Sequence, residues 1–318
     1  MSVIRNYSKF NLVDKVGEKN SFSTIEHNIK HFLDWCFLNV GGFVNVDIPT
    51  QDMSQGNFHK LRPVNNPESS RNNTAWEAFR KDWVYETGVD YSTNPNTVSG
   101  IYINDTFYPG PTGNSTRSYY IDYSNGRITL DKPISASSKV HVDYAYRYVQ
   151  TYKSSESFWW KELQRNTYQA YQFDKNPDYN ILANNRVQPP FIVIETIARN
   201  QQIPLELGSY ENILRQDVLL HIFTQNTNQR DSLVDTLLLQ KDKSLALYDT
   251  DKLVKNNKYE LNYRGEINPS GINYADIVSD SSYISRFGHI SNSILSEKNT
   301  LSSSLHNAVI RWTLEINK

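Results

Sequence analysis

The chain is poor in the residues from which most enzyme and secretory signatures are built. It has a single cysteine, Cys36, and only two methionines in 318 residues. One thiol excludes an internal disulfide framework. Cys36 falls on the apolar stripe of a predicted helix, where it reads as a small buried hydrophobe. No apolar run approaches the ~20 residues needed to cross a bilayer. Met1 to Asn20 is polar and charged with no apolar stretch, so no secretory signal is expected there. An excess of one charge is missing too. The 33 basic and 34 acidic residues leave a net charge of -1, which gives no long-range pull toward nucleic acid or anionic lipid. The Gly-x-Ser-x-Gly elbow, the phosphate-binding Gly-x-x-x-x-Gly-Lys-Ser/Thr loop and the dinucleotide-binding Gly-x-Gly-x-x-Gly are all absent.

Aromatic residues are plentiful instead. They make up 13% of the chain, and 21 residues are tyrosine. Tyrosine covers apolar area while keeping a polar tip, which predicts an aromatic, half-exposed core of the kind found at interfaces. The first element is a helix from about Thr24 to Val40. Ile25, Ile29, Phe32, Leu33, Cys36, Phe37 and Val40 form one stripe, Ser23 and Glu26 have capping-box spacing, and Gly41-Gly42 stops it. Phe43 to Ile48 reads as a short strand. Residues 49–97 read as irregular, with one or two helical turns at Trp76 to Trp83.

Residues 98–152 alternate with period two. Asn125-Gly126 supplies the positive-φ pair of a two-residue hairpin. Val140 to Val149 reads as one long strand, with Tyr144, Tyr146 and Tyr148 on one face. An aromatic connector follows at 153–185, with Trp159-Trp160 as an anchor and a short helix at Lys161 to Gln172. The next stretch carries two apolar strands, Phe191 to Ile197 and Asp217 to Thr224, and an amphipathic helix from Gln229 to Gln240 that turns Leu233, Val234, Leu237 and Leu238 inward. Further strands are predicted at Ser244 to Tyr248 and Tyr259 to Gly265. Asn268 to Ser304 reads mostly as loop, and Ala308 to Ile316 as a half-buried closing strand. The first helix fits best against the C-terminal strands.

The fold class that follows is α+β. A small helix-backed mixed β-sheet unit (1–48 and 186–318) carries an inserted antiparallel β-sandwich-like module (98–152), with the irregular region at 49–97 and the connector at 153–185 between them.

Two clusters have the residue types of chemistry. His27, His31 and Asp34 share one helix face, but Asn28 stands where a zinc-protease helix needs glutamate. A solvated face or subunit contact is the expected role. Asp82 and Glu86, among Trp83 and Tyr85, have the look of a glycosidase carboxylate pair, although Arg80 and Lys81 stand ready to neutralise them. The Tyr144–Tyr146–Tyr148 ladder reads as the apolar face of a sandwich, with a sugar-stacking platform as the alternative. His221, between Leu220 and Ile222, reads as a hydrogen-bonded structural histidine. No catalytic, cofactor-binding or metal-ligating residue is assigned.

The succession of a first helix, Pro189-Pro190-Phe191-Ile192-Val193-Ile194, Val218-Leu219-Leu220-His221-Ile222-Phe223-Thr224 and a helix beginning near Gln229-Arg230-Asp231 resembles tail terminator proteins of tailed bacteriophages. Asp34-Trp35, Gly41-Gly42, Lys81-Asp82-Trp83, Ile121-Asp122-Tyr123 with Asn125-Gly126-Arg127, Tyr144-Ala145-Tyr146-Arg147 and Asn185-Arg186-Val187-Gln188 resemble a group of long phage virion structural proteins. The second likeness spans Thr24 to Ile316. The first covers only the helix and the C-terminal unit, and the inserted β module departs from a minimal terminator. The resemblance implies a non-enzymatic virion protein without cofactor, assembled in the host cytoplasm. It would form a homo-oligomeric ring, a hexamer, at the head-proximal end of the tail. Its partners would be further copies of itself, a tail tube or sheath protein and a head-side connector protein, with DNA passing through the lumen and no membrane contact. The alternative is a carbohydrate-binding fibre or baseplate component that uses the Tyr-rich module.

Overall fold

A computed structural model describes residues 21–48, 58–64, 73–110, 117–157, 188–204, 212–303 and 305–317. The expectations for Met1 to Asn20, Trp159-Trp160, Lys161 to Gln172 and Asn185 to Val187 lie outside the described residues. The architecture is mixed α+β and mostly curled antiparallel sheet.

Helix α1 (Ser21–Leu38) buries Ile25, Ile29, Phe32, Leu33 and Phe37, as the stripe predicts, with Cys36 packed against the same core. It ends at Gly41, where φ is +79° and a Cβ would lie 2.4 Å from the Tyr91 ring. The Gly42 N–H closes the helix on the Phe37 carbonyl at 2.7 Å. The helical backbone begins at Ser21, so Ser23 lies inside the helix and not at its N-cap. Glu26 turns inward instead. Its carboxylate accepts from Ser154 Oγ, Ser155 Oγ and both Thr196 N and Oγ1. A buried carboxylate must be hydrogen-bonded, and these donors tie the helix to the sheet beneath it.

That sheet has six strands: β10 (Gln150–Lys153), β11 (Phe191–Pro204), β12 (Asn212–Thr224), β15 (Leu305–Asn317), β14 (Ile284–Ser302) and β13 (Ser244–Tyr248), in that spatial order. Only β10 and β11 run parallel. Ile192, Ile194, Val218, Leu220, Ile222, Ala308, Ile310, Trp312 and Leu314 form its inner face. Helix α2 (Thr227–Leu238) lies on this face through Leu233, Val234 and Leu237. It starts two residues earlier than predicted because Asn226 caps it, accepting from Gln229 N at 2.9 Å. The Trp312 indole N–H donates to the Leu237 carbonyl at 3.3 Å, locking helix to strand. Short helices α3 (Thr250–Lys255) and α4 (Tyr274–Ser279) pack on the same core through Leu253, Tyr274 and Ile277.

The stretch Asn268 to Ser304, expected as loop, instead holds α4 and the 19 residues of β14. Its pairing to β15 shifts register at three places, after Ile290, Leu295 and Thr300. Each shift flips the faces, so no alternation survives in the sequence. Tyr259 to Gly265, expected as a strand, forms turns with one bridge, Leu261 to Ile267. Gly265 at φ +78° turns the chain there.

The second unit is a seven-stranded antiparallel sheet: β5 (Thr106–Pro109), β4 (Gly100–Ile103), β8 (Val140–His141), β2 (Lys60–Pro63), β3 (Ala75–Glu77), β7 (Arg127–Leu130) and β6 (Tyr119–Asp122). It curls around Trp76, Trp83, Ile101, Ile128 and Tyr144. Strands β2 and β3 come from the region read as irregular. Strands of three and four residues are too short to show a period. The helical turns expected at Trp76 to Trp83 do not form. Trp76 belongs to β3, and Asp82 sits at φ +58°. The long strand expected at Val140 to Val149 breaks into β8 and β9 (Tyr144–Arg147) as the chain changes partner from β2 and β4 to β1 (Phe43–Val46). All four residues of β9 are buried, since it has core on both faces. The β6–β7 turn spans Tyr123 to Gly126, with only Gly126 at positive φ, because the Asp122 carboxylate accepts from Asn125 N and Nδ2. The paired positive φ expected there occurs instead at Asn104-Asp105, between β4 and β5.

Trp312→Ala is expected to lower unfolding free energy by about 3–5 kcal/mol, whereas Val254→Ser, at an exposed position, should change it by no more than about 0.5 kcal/mol. Urea titration of both proteins checks the contrast.

Candidate functional site

The two residue clusters singled out in the sequence meet in one place. A cleft of about 550 Å³ lies where α1, the β module and the turn Tyr259 to Gly265 converge. Its walls carry His27, Lys30, His31 and Asp34 from α1, Asp82, Tyr85 and Arg147 from the β module, and Tyr259 from the C-terminal turn. Helical spacing puts the four α1 residues on the face that points away from the apolar stripe. That face is buried, not solvated as expected: His27 and Asp34 are each 8% exposed.

Arg147 organises the floor. Its guanidinium pairs with the Glu86 carboxylate through Nη2, lies 3.9 Å from Asp82 Oδ1 and stacks over the Tyr85 ring. Of the neutralising partners expected for Asp82 and Glu86, Lys81 acts on Asp82 at a distance and Arg80 goes elsewhere. Arg80 stacks on Phe58, Phe79 and Tyr146. The Lys81 amine is lowered to about 8, first by burial. Asp34 accepts from Lys30 Nζ at 2.6 Å and from Thr151 Oγ1. Burial raises the carboxyls of both Asp82 and Glu86, with Arg147 pulling the other way. Glu86 is held by the ion pair, while Asp82 faces the cleft.

The histidines face a tyrosine. Tyr259 Oη lies 3.2 Å from His27 Nε2 and 3.3 Å from His31 Nε2. Both imidazoles are held neutral. His27 falls from 6.5 to about 3 through burial, then Lys153 and Lys30. His31 is lowered by burial, then by His27, Lys30, Arg147 and Lys153. Among the described residues no group of three His, Cys, Asp or Glu side chains is arranged to hold a metal ion. Behind them Glu260 accepts from Tyr85 Oη at 2.9 Å and lies 3.7 Å from His31 Nδ1. Burial and then Glu86 push its carboxyl up to about 8. Its environment favours the protonated acid, an outcome the sequence did not signal.

The roof is set by Gly265. Its carbonyl accepts from Tyr123 N at 3.0 Å, and a Cβ on it would lie 2.3 Å from Asp122 Oδ1. Any side chain there would lift the C-terminal turn off the β6–β7 hairpin. At the mouth Arg264 stacks over Tyr120 and Tyr263.

The other sites resolve plainly. The Tyr ladder is core: Tyr144 stacks on Trp83 at 4.5 Å and Tyr146 is 5% exposed, leaving only Tyr148 at the surface. His221 is buried with Nε2 3.0 Å from Glu195 Oε2. Cys36 is raised to about 11 by burial, so it stays a thiol. No described helix is long and apolar enough to cross a membrane.

No family model matches the chain, and no curated protein or solved structure is significantly similar to it. The reading of the site therefore rests on its own geometry.

Two titrations of opposite sign follow. The unfolded chain protonates His27 below 6.5 and the folded one resists to about 3. That stability is present above 6.5 and is lost as the pH falls toward 3. Glu260 is the reverse, rising from 4.5 to about 8. Its stability is full below 4.5 and is lost as the pH rises through 8. Unfolding measured from pH 4 to 9 should show His27→Gln flattening the acid limb and Glu260→Gln the alkaline limb, each by at most ~1.4 kcal/mol per pH unit. Arg147→Met, which leaves the Glu86 carboxylate buried without its cation, should cost about 3–5 kcal/mol at neutral pH in the same assay.

Proposed function

We propose that this protein is a structural virion component of a tailed phage. It forms a ring of six copies at the head-proximal end of the tail, joining tail tube to head connector while DNA passes through. The observation that carries this reading is the outer edge of β14. Strand β13 pairs with β14 only as far as His289, and one further pair of hydrogen bonds holds Ile290. From Ser291 to Ser302 that edge has no strand neighbour among the described residues. Phe287, Ile294 and Leu295 along β14 are 62%, 49% and 37% exposed. Unpaired backbone groups beside apolar side chains recruit another strand. The three register shifts bend the strand, as a sheet curving around an axis requires.

The opposite side of the sheet supports the same reading. Strand β10 covers β11 only at Phe191 to Ile194, so Asn200 to Pro204 is a second open edge among the described residues. Strand order makes β14 of one copy antiparallel to β11 of the next. Two different edges meeting head to tail give a heterologous contact, and such contacts close into rings. A net charge of -1 suits a lumen through which DNA slides, since a basic lining would hold it by counterion release. The resemblance of the Phe191–Thr224 strands and the following helix to tail terminators points the same way. With Tyr144 and Tyr146 in the core, nothing favours the glycan-platform alternative in its original form.

Native mass spectrometry of the purified protein at micromolar concentration is expected to give a closed ring. Ile294→Lys with Leu295→Lys, both at exposed positions, should yield monomers with unchanged circular dichroism. A wild-type monomer, or a ring indifferent to the double substitution, overturns the edge as the interface. Absence of the chain from purified particles overturns the virion role.

A further inference from the structure

We propose that the inter-lobe cleft binds a neutral, hydroxyl-rich ligand, a saccharide of one or two rings. The inference does not depend on the ring. It starts from Arg147, which is 3% exposed and lines the cleft. Glu86 engages Nη2, but Nε and Nη1 have no hydrogen-bond partner. At 3.9 Å Asp82 is too far to accept from Nε. Two buried donors without acceptors are costly and call for an oxygen partner, from water or from a ligand hydroxyl. Beside them the Asp82 carboxylate points into the same space and accepts no side-chain hydrogen bond among those of the described residues.

The charges around this pair decide the class of ligand. Cations and anions are mixed around it, Lys30, Arg127, Lys153 and Arg264 against Asp34, Asp122 and Glu156, so a charged ligand of either sign meets like charge on the way in. A hydroxyl both accepts and donates. Adjacent hydroxyls on a ring therefore satisfy the Arg147 N–H groups and the Asp82 carboxylate together, without net charge. The volume, about 550 Å³, lies in the range of small-ligand sites. The mouth supplies the remaining element of sugar recognition. Tyr263 is 90% exposed, and with Tyr120 it is held by the Arg264 guanidinium. An aromatic face fixed at the rim of a polar cleft offers a stacking surface for the C–H face of a sugar ring.

Saturation-transfer NMR on the full chain tests this with glucose, galactose, N-acetylglucosamine, maltose and lactose, and with glucuronate and sialyllactose as charged probes. At least one neutral sugar is expected to respond. Tyr263→Ala, whose side chain is outside the fold, should weaken that response about fivefold, the loss of one stacking contact. Asp82→Asn, which keeps the shape and removes the charge, should weaken it further. No neutral sugar binding, binding of charged sugars alone, or neutral-sugar binding unchanged in both variants overturns the proposal. If Asp82→Asn fails to fold, Tyr263→Ala alone decides.

Discussion

The guanidinium of Arg147 is the interaction around which the two halves of the molecule are arranged. It sits at the end of β9, the strand with core on both faces, and it is buried. A buried cation must be matched. Glu86 matches it directly, and Asp82 stands nearby. These fix the loop between β3 and β4. Lys30 and Asp34 balance one another on the facing helix, and beside this charged contact Leu38 at the end of α1 packs on Val84, Val89 and Ala145 of the β module. The charged contact gives little net stability compared with apolar packing of the same volume. What it supplies is a defined registry between units that each have their own core.

The division of labour between the cores explains the shape of the cleft. The six-stranded sheet and its two long helices close a large aliphatic core. The seven-stranded sheet closes a smaller aromatic one. Apolar contact between them is confined to small patches, Leu38 on Val84, Val89 and Ala145, and Leu261 on the aromatic core, and polar groups line the cleft beside these. Burial favours the neutral forms of Glu260 and both imidazoles, which limits the charge that has to be matched. Gly265 then brings the C-terminal turn down on the β6–β7 hairpin and roofs the space. The open Ser291–Ser302 edge of β14 contributes no residue to the cleft, so assembly through strands and ligand binding use different residues.

Much of the fold was legible in the sequence where one face of an element is apolar and the other is not. The α1 stripe, the two apolar strands, the helix with Leu233, Val234 and Leu237, and the closing strand all appear in the structure. The packing of α1 on the C-terminal sheet follows from its unpartnered stripe. The elements that were missed lack such a signal. Strands β2 and β3 are too short, and β14 is Ser-rich, exposed and shifted in register three times. At the site, the spacing of His27, His31 and Asp34 placed them on one face correctly. The carboxylates Asp82 and Glu86 were also in view. Their convergence was not, since it joins residues about 50 positions apart through no local pattern.

The sequence by itself determined which elements have a dry face, because periodicity is a local property set by side-chain transfer free energies. It determined the near-neutral charge and the single thiol as well. Only the tertiary structure decided that the polar face of α1 is buried, that Arg147 and not Arg80 or Lys81 neutralises Glu86, and that the Tyr ladder is core. Those outcomes depend on which distant groups share a low-dielectric space, and charge pairing across such a space follows position in three dimensions.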